Sequence, residues 1–163
     1  MTAFVGAILT ATFTAADLTG IESGSVPGIG DIYVSHDNKK YRFVQYNAGA
    51  GAVAAVAGNV AYLYAPSGAS AGASNVVTSD LSDSAEIGAG VLQAAIPTGG
   101  YGWIQVGGVA TLTPALTAGA DGDPLTPTGS TDGTLDTVAA ATDAVCAYAI
   151  DASAKIIMCA FPH

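Results

Sequence analysis

Apolar and polar residues alternate along this chain in short runs, and Gly, Pro, Asn, Asp or Ser closes nearly every run. A period of two, broken by turn residues at close intervals, is the signature of short β-strands. Residues 31–35 (DIYVS) and 40–46 (KYRFVQY) flank His36-Asp37-Asn38-Lys39 and read as a hairpin. A two-residue turn at Asp37-Asn38 would set Val34 opposite Tyr41 and Ile32 opposite Phe43, making one hairpin face apolar. Further strands are predicted at 52–56 and 59–65, separated by Gly58, then at 76–78, 90–96, 101–106 and 109–113. Residues 114–133 are rich in Gly, Asp, Pro and Thr and hold at most one short strand; 144–150 and 155–161 close the chain. Helical turns are expected only near 14–18 and 78–86. The stretch 66–74 (PSGASAGAS) is low in complexity and has nothing to bury. The pattern predicts an all-β fold, a small β-barrel or sandwich of short strands with an extended N-terminal arm.

The arm covers residues 1–27 and the β domain 28–163, read either as one unit or as a front β module at 28–84 and a second at 85–163. Phe4, Val5, Ile8, Leu9 and Phe13 are the apolar points of the arm, and such a segment must bury itself on its own domain or on a neighbour. Residues 1–9 are apolar like the core of a secretion signal, but no Lys or Arg precedes them and a Thr-rich polar stretch follows. The arm reading is therefore preferred to a cleaved leader.

At 163 residues the chain has the size of one domain. Ala and 21 Gly account for much of its small-residue character, so large core-formers are scarcer than 50% hydrophobic content implies. Four basic against 13 acidic residues give a net charge of −9. Phosphate contacts need Lys and Arg, and three of the four here lie at 39–42, which argues against direct nucleic-acid binding. No window of membrane-spanning length is free of Gly or polar breaks, so no transmembrane helix is expected.

Catalytic chemistry finds little to work with. His36 falls in the hairpin turn and His163 is the last residue; neither has a ligand-spaced partner. Asp80, Asp83 and Glu86 form one acidic group and Asp121, Asp123 and Asp132 another. Asp121-Gly122-Asp123 lacks the remaining positions of a calcium loop and reads as turn-forming. No nucleophile elbow, P-loop or dinucleotide fingerprint is present. With 151–154 as a loop, Cys146 falls opposite Cys159 at a separation a disulfide can span. Two buried thiols are the preferred alternative. That hairpin would be apolar on both faces: Cys146, Tyr148, Ile157, Cys159 and Phe161 on one, Val145, Ala147, Ile156 and Met158 on the other. Residues 41–45 (YRFVQ) and 101–105 (YGWIQ) echo one another, which similar packing demands explain more simply than duplication.

Residues 88–161 resemble the capsid decoration, or cement, proteins of tailed bacteriophages. The features are an opening Gly-Val strand; a strand with Trp103, Ile104, Val106, Gly108 and Val109; an Ala-Gly-x-x-Gly-Asp-Pro-Leu segment at 118–125; and a closing hairpin at 147–157. The cysteine pair and the long front segment, 1–84, depart from that pattern. The resemblance implies a non-enzymatic virion protein, made in the host cytoplasm and placed on the outer surface of the capsid. There it would clamp neighbouring subunits of the major capsid protein, as a homotrimer, with no cofactor, metal, nucleic acid or membrane partner. Phe4, Val5, Ile8, Leu9, Phe13, Tyr101 and Trp103 are the expected interface residues. The competing reading is a head-fibre or tail-associated carbohydrate-binding module that stacks sugars on Tyr62, Tyr64, Tyr101 and Trp103.

Overall fold

The computed structural model describes residues 7–19, 26–65 and 75–163. Phe4 and Val5 lie outside the described residues, as does the low-complexity stretch 66–74. The chain is almost entirely β. A short helix α1 (Ala15–Thr19) precedes strands β1 (Ile32–Val34), β2 (Lys40–Tyr46), β3 (Val60–Tyr64), β4 (Val76–Thr78), β5 (Ser84–Leu92) and β6 (Tyr101–Thr111). Strands β7 (Pro124–Thr126), β8 (Asp136–Thr137), β9 (Ala147–Asp151) and β10 (Ile156–Ala160) follow. The helical turn expected within 78–86 is a single 3-10 turn, Leu81–Asp83, with Asp80 as its N-cap.

Five strands close a barrel in the order β2-β4-β3-β5-β6, sealed by the β2–β6 pairing. The remaining strands extend from it: β1 adds to β2, and β10, β9, β7 and β8 continue outward from β6. The boundary drawn at 84/85 runs through this closed barrel. Val44, Tyr62, Val91, Ile104 and Val106 fill the interior, and the same cluster continues beneath the extension through Leu125, Cys146, Ile157 and Phe161.

One strand, β6, belongs to both parts. Its first half pairs with β2 and β5, its second with β10. The sequence pattern divides it into two strands at Gly107-Gly108, whereas the structure runs it through. Gly108 sits at φ +86, and a Cβ there would lie 2.9 Å from the Lys39 side chain. A bulge in the β2 register falls between Lys40 and Tyr41 at the same level. An irregularity of this kind turns a strand without ending it.

Three local expectations are corrected. The first hairpin pairs Tyr33 with Tyr41, Ile32 with Arg42 and Val34 with Lys40. Its loop is longer than two residues: the Ser35 N–H donates to the Lys39 carbonyl, and Asn38 takes φ 60. A one-residue slip flips every side chain, so Ile32 and Val34 face solvent while Tyr33 joins the aromatic side. Residues 52–56 form no strand: Ala52 has φ 52, the Val53 N–H donates to the Ala48 carbonyl, and Tyr46 Oη donates to the Val53 carbonyl at 2.8 Å.

The closing hairpin carries the third correction. Ile156 pairs with Asp151 and Ile157 with Ala149, so Ile150 is an extra residue on β9. That bulge sets Cys159 opposite Ala147 rather than Cys146, and both thiols are free and buried. Tyr148 therefore points outward, and the hairpin is buried on one face only.

Candidate functional site

Alternate residues of β6 face opposite ways. Ile104, Val106 and Ala110 point into the core, while Tyr101 and Trp103 lie on the outer side with Tyr41 and Phe43 of β2. Four large rings on an outer face would be a costly exposure. The chain covers them with its own arm: Leu9, Phe13 and Leu18 pack against them, as does Tyr33 from β1. Phe13 and Tyr101 exchange N–H to carbonyl bonds at 2.9 and 2.8 Å. The Phe13 ring stands edge-on to Phe43 at a centroid distance of 5.6 Å. Thr14 starts α1, with Asp17 Oδ2 accepting from both its N–H and its hydroxyl. Those two bonds hold the Asp17 carboxyl below its ordinary pKa.

The sequence-derived interface residues thus separate. Leu9 and Phe13 are half-buried on the aromatic cluster, Tyr101 and Trp103 are buried beneath it, and Ile8 points away at 73% exposure. A sugar-stacking platform is not formed by the four rings considered for it. Trp103 and Tyr101 are covered, Tyr64 is half-buried, and Tyr62 is sealed in the core. There Tyr62 Oη donates to the Thr134 carbonyl at 2.6 Å and accepts from its N–H at 2.9 Å. Burial pushes that phenol up to about 12.

Beyond Gly108 the outer face of β6 continues without a cover among the described residues. Val109 pairs with Met158 of β10, and Met158 pairs with Tyr148 of β9. These three side chains form a row across three strands and remain 40%, 41% and 47% exposed. Ile150 and Val145 lie open on the same hairpin. The sequence reading sets Tyr148 and Met158 on opposite faces of the hairpin, whereas the structure pairs them on one; the bulge at Ile150 carries no sequence signature of its own. Both cysteines lie on the opposite, inward side. Burial pushes each thiol up to about 12, Cys146 further raised by Cys159 and Cys159 partly offset by Lys39.

The acidic groups brace loops. Asp80 is buried and accepts from the Gly51 N–H at 2.8 Å, the Ser82 N–H at 3.0 Å and the Ser82 hydroxyl at 2.6 Å. Asp83 accepts from the Ala50 N–H, Asp132 from the Leu81 N–H, and Asp121 from the Ala152 N–H. These carboxylates spend their lone pairs on turn amides, the ordinary work of Asp in loops. His36 is exposed in its turn, and His163 Nε2 lies 3.2 Å from Lys40 Nζ. No group of three or more His, Cys, Asp or Glu is placed to hold a metal ion among the described residues. Among them, too, no helix is long and apolar enough to cross a membrane. No family model, curated protein or solved structure matches the chain.

Proposed function

We propose that this protein is a virion structural protein that binds the outer surface of a phage capsid and stabilises the lattice by bridging major capsid subunits, associating with itself as a homotrimer. The observation that supports this most is the arm. An apolar segment lies along the outer face of a closed barrel, held by one β-bridge and by half-buried contacts, with Ile8 directed outward. A segment so placed can grip an adjacent subunit by strand addition or by its apolar side chains. A net charge of −9 suits an exterior position, away from packaged nucleic acid. The action would be linkage: a protein that binds only the assembled lattice stabilises that lattice by mass action.

Immunogold labelling of intact particles with antibody against this chain tests the reading. Label over the whole head is the expected result; label confined to the tail, or no labelled particle, overturns it. Ile8→Asp then probes the arm itself. It should weaken head attachment while leaving Trp103 emission unchanged, because Ile8 does not touch the aromatic cluster.

A further inference from the structure

Closure removes the edges of the barrel, but the strands that extend it leave two ends among the described residues, β1 and β8. The two ends differ. On β8 the outward N–H of Thr137 is taken by the carboxylate of Asp136 at 2.6 Å, so a charged side chain occupies the edge donor. On β1 the residues Ile32, Tyr33 and Val34 carry no charge. The Phe43 N–H donates to the Asp31 carbonyl and the Ser35 N–H to the Lys39 carbonyl, so Tyr33 is the residue between them that bonds to β2. The N–H and C=O of Ile32 and Val34 therefore point away from β2, and none of the described residues bonds to them. Their side chains stand on one face of this open edge, 44% and 53% exposed.

We infer that the outer edge of β1 is a strand-acceptor site, which takes an extended segment of a partner protein alongside Ile32–Val34. The free groups specify the backbone of the occupant. Donor and acceptor recur at Ile32 and again at Val34, about 7 Å on, a spacing that another β-strand matches. The exposed side chains specify its composition. The residue that lands beside Ile32 and Val34 on their face is apolar, because its burial with them removes apolar surface from water. Three residues make a short edge, suited to one added segment rather than to open-ended sheet growth. The inference goes beyond the proposed function, in which the arm is the gripping element, and it does not depend on a capsid as the partner.

Amide exchange measured by NMR on the full chain tests it, with a blocked Thr-Val-Thr-Val-Thr peptide as the probe. In the chain alone the Tyr33 amide should be protected by β2, while those of Ile32 and Val34 exchange freely. Peptide at about 5 mM should slow both open amides by about threefold or more, as 1 + [L]/Kd requires for Kd up to about 2.5 mM. Val34→Pro deletes an edge donor but no bond to β2, so it should abolish that slowing with the urea midpoint little changed. Ile32→Lys keeps the backbone and places a charge on the edge, and should weaken the response as well. A peptide that leaves both amides unmoved overturns the inference, as does slowing that survives Val34→Pro. Protection of both amides in the chain alone, rising with its concentration, would mean that β1 pairs with a second copy, and overturns it too. No capsid enters the experiment, so failure here leaves the capsid reading standing, and unlabelled heads leave the open edge standing.

Discussion

Phe43 and Trp103 stand directly opposite one another on paired antiparallel strands, their rings edge-on with centroids 5.2 Å apart. About this pair the two echoing segments of the sequence meet: Tyr41 faces Gln105 and Gln45 faces Tyr101. Gln45 Nε2 donates to Tyr101 Oη at 3.2 Å, but Gln105 Nε2 turns instead to the Gly107 and Val109 carbonyls at 3.1 and 2.9 Å. The local two-fold is thus broken at Gln105. Its amide ties down the irregular stretch around Gly108, where β6 passes from the barrel to the outer sheet.

The arm should leave this aromatic face as a unit. Phe13→Ala removes the ring that caps Phe43 and weakens the segment that accepts the Tyr101 N–H. We expect a red shift of Trp103 emission and faster hydrogen exchange at the Tyr101 amide, with unfolding of the barrel core unchanged in midpoint. Opening of this kind is local and draws on few buried contacts. Loss of the whole core together with the arm would show instead that the arm is integral to the barrel.

The buried thiols make the fold sensitive to alkali. Each titrates near 9.0 when exposed and is pushed up to about 12 by burial. A group whose folded pKa is raised contributes stability that is complete below the unfolded value and lost as pH rises towards the folded one. Between pH 9 and 12 the unfolded chain releases protons that the folded chain keeps, so stability falls as pH rises, by up to about tenfold in the folding equilibrium per pH unit per thiol. Tyr62 adds to the loss above its ordinary value of 10.0. Urea unfolding from pH 8 upward should show this slope, and Cys146→Val should reduce it by about one thiol's share.

What the sequence disclosed and what it hid follow from locality. Strands β2, β3, β4, β9 and β10 are legible because alternation and turn residues define them within a few positions. Register depends on one residue more or less in a loop. The five residues from Ser35 to Lys39 reversed the faces of β1, and the extra Ile150 moved both Cys146 and Tyr148. The uncovered row on β6, β10 and β9 was hidden for that reason. The arm's apolar points are plain in the sequence, but the surface they cover is made by residues 41–43 and 101–103, far along the chain. No local pattern states that Tyr101 and Trp103 end up beneath Phe13.

Asp80 should be the carboxylate whose loss is felt most. Burial raises its pKa, but bonds from the Ser82 hydroxyl and from the Gly51 and Ser82 amides outweigh that and hold it below 3.8. Its contribution is therefore present above the unfolded value and lost as pH falls through the lower folded one. Asp80→Ala should cost roughly 1.5–3 kcal/mol at neutral pH, the range for a hydrogen bond to a charged group. It should also flatten the acid limb of a urea-midpoint profile. Gly49→Ala should damage the same loop, because Gly49 has φ +71 and its Cβ would strike the Asp80 carboxylate. A steeper acid limb in Asp80→Ala would refute the assignment.

The seam between barrel and outer sheet closes at Gly88. A Cβ on this β5 residue would lie 2.7 Å from Cys146 Sγ and 2.8 Å from the Phe161 ring. The side chains of the β9 and β10 segments thus rest directly on the β5 backbone, and the absent side chain is what lets them approach. Gly88→Ala should destabilise the protein by about 1–3 kcal/mol through overpacking. Cys146→Ala alone should also destabilise, since it leaves a void where the sulfur sat. Together they should cost less than the sum, because the new methyl group occupies part of the vacated space. Rescue is limited, however, by the Phe161 ring, which stays in place on the other side. A double-mutant cycle measured by urea unfolding should therefore return a favourable coupling of roughly 0.5 kcal/mol or more. Simple additivity would mean that the strain at Gly88 is taken up by Phe161 alone, and that the cysteine is not part of the seam.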